Sequence, residues 1–242
     1  YVEGESAFLP EEKPVFRAWI SDQLLFDRFA ALSASADASS SDLASAEMAT
    51  LTVQAKLYHF TDAADYADAL LAMAWQDPYW GDPLLTRTGN TEKAVLEKTT
   101  MLQLSPQADG SFHFEWPEHL ADGHYLLRVT YLNQSCDLFF SVSALSAWMT
   151  ADSGQTLFWL HDTSTGDAAD GAQVTDWQAS ISKHADRSGL VQLEREADIA
   201  VYLIEDDNRT LVLPLTRTPE EEEDAFTTWR YLYTDQAAYQ NG

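Results

Sequence analysis

Leu51-Thr52-Val53-Gln54-Ala55-Lys56-Leu57-Tyr58 sets Leu51, Val53, Ala55 and Leu57 against Thr52, Gln54, Lys56 and Tyr58. Successive side chains of an extended chain point to opposite faces, so this period of two predicts a strand with one buried face. The same pattern recurs on both sides. Val15 to Ile20 reads as a strand after Gly4, Pro10 and Pro14. Thr100 to Leu104 and Ser111 to Trp116 read as two more, with Asp109-Gly110 between them as a hairpin signal and Pro117 as the stop. His124 to Tyr131, behind Asp122-Gly123, and Asp137 to Val142 complete a series of short strands separated by turn residues. Such spacing predicts an antiparallel β-sandwich.

A second unit follows from about Ala144. Its expected strands are Gln155 to His161, Gln173 to Trp177, Gly189 to Leu193, Asp198 to Glu205 and Thr210 to Leu215, with Asp206-Asp207-Asn208 as a tight turn. One segment keeps a different period. Between Asp62 and Trp75, Tyr66, Leu70, Met73 and Ala74 recur at three and four residues behind an N-cap at Thr61/Asp62, which predicts a helix. Pro78, Gly81 and Pro83 end it, and with the stretch to Lys98 it reads as an insertion in the first β-unit. Ala30 to Ser45, rich in Ala, Ser and Asp, reads as a loop, and Pro219 to Asp224 as a solvated, self-repelling linker.

Composition bounds the partners. The 242 residues include 39 acidic and 14 basic side chains, a net charge of −25, and 45% are apolar. That apolar content builds cores rather than a disordered chain, and the length suits one large or two small domains. The negative surface repels phosphate backbones and anionic lipids, which excludes nucleic acid as a partner. No run of about 18 apolar residues exists to span a bilayer. Tyr1 in place of an initiator Met reads as the start of an excised fragment. Cys136 is alone, so no intrachain disulfide and no cysteine-based zinc site can form, and such thiol scarcity suits an extracytoplasmic bacterial protein.

Catalytic and ligand motifs are missing. There is no Gly-x-Ser-x-Gly, His-Glu-x-x-His, Cys-x-x-Cys or phosphate-cradling glycine loop. His119 and His124 lie five apart across a turn, a poor spacing for metal ligands, and His113 alternates with Phe112 and Phe114 as a solvent-face strand residue. Asp162-Thr163-Ser164-Thr165-Gly166-Asp167 invites a calcium reading, but Asp167 and Gln173 stand where an EF-hand loop needs Gly and Glu. Cys136 reads as a structural thiol. Trp75, Trp80, Trp116, Trp148, Trp159, Trp177 and Trp229 could form a sugar platform, though residues beside strands are more simply core. Asn133-Gln134-Ser135 and Asn208-Arg209-Thr210 fit the glycosylation sequon, which matters only in a eukaryotic secretory route. No catalytic, cofactor-binding or metal-binding residue is assigned, no cofactor is expected, and the chain is not expected to be an enzyme.

The second unit carries a family resemblance. Leu157-Phe158-Trp159-Leu160-His161-Asp162 leads into Thr165-Gly166 and then Gly171-Ala172-Gln173-Val174, which resembles the "T-G-x-x-x-x-G-A-x-V" opening of macroglobulin-like sandwiches in bacterial alpha-2-macroglobulins. Ala185-Asp186-Arg187-Ser188-Gly189-Leu190-Val191 is similar to the family's "T-D-x-x-G-L-A" hairpin, and Leu211-Val212-Leu213-Pro214-Leu215 to its terminal strand. Tyr233-Thr234-Asp235 through Tyr239 and Gly242 is similar to "Y-T-D-R-x-x-Y-R-P-G-E", with Gln236, Gln240 and Asn241 departing from Arg, Arg and Pro. In the first unit Tyr1-Val2-Glu3-Gly4-Glu5, Gly110-Ser111-Phe112 and Gly123-His124-Tyr125-Leu126-Leu127-Arg128-Val129 resemble it more loosely.

The resemblance implies an all-β chain of two tandem antiparallel β-sandwich domains, immunoglobulin-like or macroglobulin-like. Their expected boundaries are 1–143, with an insertion at about 62–98, and 144–217. An acidic linker and the first strand of a following domain would occupy 218–242. It further implies a scaffold segment of a bacterial cell-envelope endopeptidase inhibitor, a protease trap facing outside the cytoplasm. Its partners would be other macroglobulin domains of the same chain and, through the full-length protein, host or competitor proteases. The family's thioester resembles Cys-x-Glu-Gln, whereas Cys136 precedes Asp137-Leu138-Phe139, so no functional residue carries over. The alternative is a cell-surface adhesion, glycan-binding or protein-binding sandwich, for which an exposed aromatic strip on one sheet face would be the mark. A hydrolase, with no nucleophile–base motif, is the weakest reading.

Overall fold

The computed structural model describes residues 2–4, 6–18, 51–74, 88–107, 111–132, 134–151, 154–194 and 200–215. The expectations for Ala30 to Ser45, Asp109-Gly110, Pro219 to Asp224 and the C-terminal Tyr233 to Gly242 lie outside these residues, as do Trp75, Trp80, Trp229 and Asn133.

The period of two over residues 51–58 is realised as strand β4(Leu51–Phe60). Leu51, Val53, Ala55 and Leu57 are buried, while Thr52 and Gln54 are exposed. In an eight-stranded sheet β4 lies between β5(Ala94–Pro106) and β7(Gly123–Tyr131). Beyond β5 come β6(Phe112–Glu115), β3(Val15–Ala18) and β1(Val2–Gly4). Beyond β7 come β8(Gln134–Val142) and β2(Ala7–Phe8). Every pairing is antiparallel except Ala7↔Ser141 and Phe8↔Val142, where β2 runs parallel to β8. The inner face gathers Phe16, Leu104, Phe114, Trp116, Tyr125, Leu127 and Phe140 around the four β4 residues in one core.

Strand β5 starts at Ala94, not at Thr100, so the expected insertion to residue 98 overlaps a strand. The cause is a β-bulge. Leu57 pairs Lys98 but Tyr58 pairs Leu96, leaving Glu97 as the extra residue. The bulge breaks the alternation that marks a strand in sequence.

From residue 145 two four-stranded sheets enclose another core. One holds β9(Leu145–Ala151), β10(Gln155–Asp162), β11(Asp167–Ala168) and β14(Leu190–Glu194). The other has the order β13(Ile181–His184), β12(Gln173–Asp176), β15(Ala200–Asp206), β16(Arg209–Leu215). Leu145, Met149, Phe158, Leu160 and Leu193 share their core with Val174, Tyr202, Ile204, Leu211 and Leu213. Inside it Thr156 Oγ1 lies 2.9 Å from the Tyr202 hydroxyl. Strands β15 and β16 meet through Asp207-Asn208, with Asp207 at φ 52° and Asp206 paired to Arg209, as the turn residues there imply.

The Asp186 to Gly189 turn accounts physically for the hairpin motif. Asp186 Oδ1 accepts from the Ser188 and Leu190 amides at 2.8 and 3.1 Å and from the Ser188 hydroxyl at 2.6 Å. Gly189 then adopts φ 77°, and a Cβ there would sit 2.3 Å from the Leu160 carbonyl oxygen. Gly166 has a similar φ of 78° with open space around it. Gly166→Ala is therefore expected to cost about 1 kcal/mol, for backbone strain alone, and Gly189→Ala about 2–3 kcal/mol or more, because a backbone clash is added. Urea unfolding of the two variants checks the order, and equal losses would contradict the clash.

Candidate functional site

The helix is α1(Ala63–Ala74), starting at the expected cap. Asp62 Oδ1 accepts the Ala64 amide at 2.8 Å, and the Asp62 carbonyl accepts the Tyr66 amide at 3.2 Å. A carboxylate at this position also suits the positive end of the helix dipole. Asp68 and Ala72 face solvent, with Asp65 beside them held by Lys93 at 2.5 Å, while Tyr66, Ala67, Ala69 and Leu70 are buried.

That burial comes from two directions. Phe60, Leu126 and Phe139 project from β4, β7 and β8 of the eight-stranded sheet, and Val201, Leu203 and Val212 from β15 and β16. Both groups share one cluster with the helix. Tyr66 packs edge-on against Phe60 and Phe139, at centroid separations of 5.5 and 5.4 Å. The Trp177 indole N–H, at the end of β12, donates to Asp68 Oδ1 at 2.8 Å. Ala67 and Ala69 keep the helix thin enough to fit between the two sheets.

A histidine spans the same junction. His124 on β7 is 3% exposed. Its Nδ1 lies 2.9 Å from Ser141 Oγ on β8 and its Nε2 2.7 Å from Thr210 Oγ1 on β16, and the ring stacks on Tyr66 at 4.9 Å. Burial, reinforced by the nearby His59 and only weakly opposed by Asp62, depresses its pKa to about 4. On the same face Asp137, with its side chain fully buried, takes a two-pronged contact from Arg128 at 2.8 and 2.6 Å. Asp137 also accepts the Gly89 amide at 2.6 Å, and Arg128 returns a bond to the Gly89 carbonyl at 3.0 Å.

The residues weighed from sequence do not converge. His119 is exposed and His124 has both ring nitrogens engaged by hydroxyls, so they form no ligand pair. His113 is half-buried and accepts from Arg17 Nε at 2.9 Å, so it is not a plain solvent-face residue. The Asp162 carboxylate is bound by the Ser164 amide and hydroxyl and by Arg209 at 2.6 Å, so a guanidinium supplies the counter-charge in the loop weighed for calcium. Burial alone would raise that carboxyl, but the Ser164 and Arg209 contacts outweigh it and hold it at about 2. Cys136 is half-buried on β8, with Sγ 4.0 Å from the Asp137 carbonyl oxygen. Among the described residues no group of three His, Cys, Asp or Glu side chains could hold a metal ion, and no helix is long and apolar enough to cross a membrane. Trp116 is core and Trp148 and Trp177 are half-buried, but Trp159 is 46% exposed. The junction itself was not legible in sequence. Its only trace was the apolar periodicity of a helix set among strands.

No family model matches the sequence, and no curated protein matches it. Solved structures do. A crystal structure of native alpha-2-macroglobulin from Escherichia coli spanning domains NIE-MG1 superposes with a TM-score of 0.52 at 16% identity, covering 88% of this chain and 96% of that one. A longer fragment of the same protein, spanning MG0-NIE-MG1, gives 0.51 at 16% identity and covers 89% of this chain. The chain spans 64% of that longer fragment. The chain is thus similar in its all-β fold to these bacterial alpha-2-macroglobulin fragments.

Two expectations follow from the junction. The folded state favours neutral His124, whereas the unfolded chain binds a proton near pH 6.5. Its contribution is therefore fully present above pH 6.5 and lost as pH falls toward about 4, by about 3 kcal/mol in all. Urea titrations across that window should show this slope in the wild type and its loss in His124→Gln. Ala67→Asp, which drives a charge into a fully buried site, should split thermal unfolding into two calorimetric transitions, since it removes the shared cluster while sparing the other two cores. A single transition in both proteins would show that the helix does not couple the sheets.

Proposed function

We propose that the chain is a non-catalytic scaffold segment of an alpha-2-macroglobulin-like endopeptidase inhibitor of the bacterial cell envelope, working outside the cytoplasm. The observation that carries this reading is the likeness to the NIE-MG1 fragment over 88% of this chain and 96% of that one. On this reading residues 1–143 form one macroglobulin-like module, with an insertion at about 62–98, and residues 144–217 a second. Residues 218–242 lead toward a following domain.

The role of such a segment is mechanical. The helix between the sheets fixes the angle at which the two modules meet, and the rigid pair holds neighbouring macroglobulin domains at a set distance. Proteases are partners of the full-length protein. The engaged state of His124 and Asp137 supports the non-enzymatic reading, because neither group has an open face to offer a substrate.

The isolated chain, in molar excess, is expected to leave trypsin cleavage of a protein substrate unchanged, while the full-length parent suppresses it. Stoichiometric loss of cleavage on adding the chain alone, or no suppression by the parent, would overturn the reading.

A further inference from the structure

The sheet containing β9, β10 and β14 buries one face and turns the other away from its core. On the outward face the register aligns Trp148, Trp159 and Leu190 in one row across the three strands. Trp159 is 46% and Leu190 40% exposed. Trp159 Nε1 donates to the Ser188 carbonyl at 3.0 Å, and the His161 ring meets the indole edge-on at 4.4 Å. The indole plane is thereby fixed before anything binds. One row along, Gln192 beside Leu157 donates to Gln155. Glu194 is the single carboxylate at the outward positions of these strands, although the chain as a whole carries −25.

We propose that this row is a binding platform for a neutral oligosaccharide. The C–H face of a pyranose ring packs on a fixed indole with little ordering cost, as other flat ligands stack on aromatic side chains. The hydroxyls at the ring's edge need donors and acceptors that carry no charge, and the Gln192 amide supplies them beside the stack. An anionic glycan is disfavoured by the field of the whole chain, and a cationic ligand finds one carboxylate to pair with. A face with a single carboxylate on so acidic a protein is therefore matched to an uncharged ligand. The platform is separate from the helix junction and adds to the scaffold role without depending on it.

Isothermal titration of the 242-residue chain with cellohexaose, chitohexaose and maltohexaose, alongside anionic oligogalacturonate, tests this. At least one neutral oligosaccharide should bind saturably, with an affinity unchanged between low salt and about 0.5 M salt. Trp159→Ala should weaken that binding about tenfold or more at unchanged melting temperature, and Gln192→Ala, at an exposed amide that leaves the stack intact, severalfold. Absence of binding to all three, equal binding by Trp159→Ala, or binding of oligogalacturonate alone would overturn the proposal. So would sedimentation showing a dimer that Trp159→Ala abolishes, since a second copy would then be the occupant of the face.

Discussion

The sheet built on β15 is apolar on both faces, and the rest of the architecture answers that constraint. Ala200, Tyr202 and Ile204 enter the core between the two four-stranded sheets, and Val201 and Leu203 point the opposite way with Val212 of β16. An antiparallel sheet commonly leaves a polar face in water. These side chains are apolar and buried, and a cover lies over them. Helix α1 provides it, and being apolar on its own far side it then needs a second cover, which Phe60, Leu126 and Phe139 supply. At about 25 cal/mol per Å² of apolar surface, a layer of aromatic and branched side chains on each side outweighs any single hydrogen bond across the junction. Direction comes instead from polar contacts such as His124 to Thr210 and Trp177 to Asp68, which fit only one alignment of helix and sheets.

Two buried carboxylates are closed locally. Asp137 meets a guanidinium and a backbone amide, and Asp176 Oδ1 accepts the Gln178 and Ala179 amides at 3.0 Å each. Depressed or raised acidities at a cleft can mark catalytic sites. Here the polar atoms of His124 and Asp162 are engaged by neighbours inside the protein. The low pKa of His124 records desolvation of a ring bridged between two hydroxyls, and that of Asp162 records a serine and an arginine already in place.

Much of this was readable from the residues, and the failures have physical causes. The β4 alternation was legible because one face is solvated over residues 52–56, and Asp62 announced the helix as its cap. The onset of β5 was hidden by the Glu97 bulge. Strand β9 is hidden because Ser146-Ala147-Trp148 offers small and large residues in no apolar rhythm, and β13 because Ser182, Lys183 and His184 are exposed and only Ile181 of its four residues packs on the core. The role of the helix could not be read at all. Periodicity shows that a helix has apolar sides, not which sheets will cover them.

Strand β10 shows why the outward aromatic row was equally hidden. Its inward set is Thr156, Phe158 and Leu160, and its outward set is Leu157, Trp159 and His161. Both sets are largely apolar or aromatic, so alternation cannot assign a face, and a strand buried on both sides would read the same way. Comparison with β15 makes the point. Val201 and Leu203, equally apolar on the outward side, are covered by a helix, whereas Trp159 and Leu190 remain 46% and 40% exposed. One chain thus treats two apolar outer faces differently. The face that must be rigid for the modules to hold their angle is sealed by its own helix. The other keeps an indole oriented by Ser188 and His161 without covering it, an arrangement that core packing alone does not require.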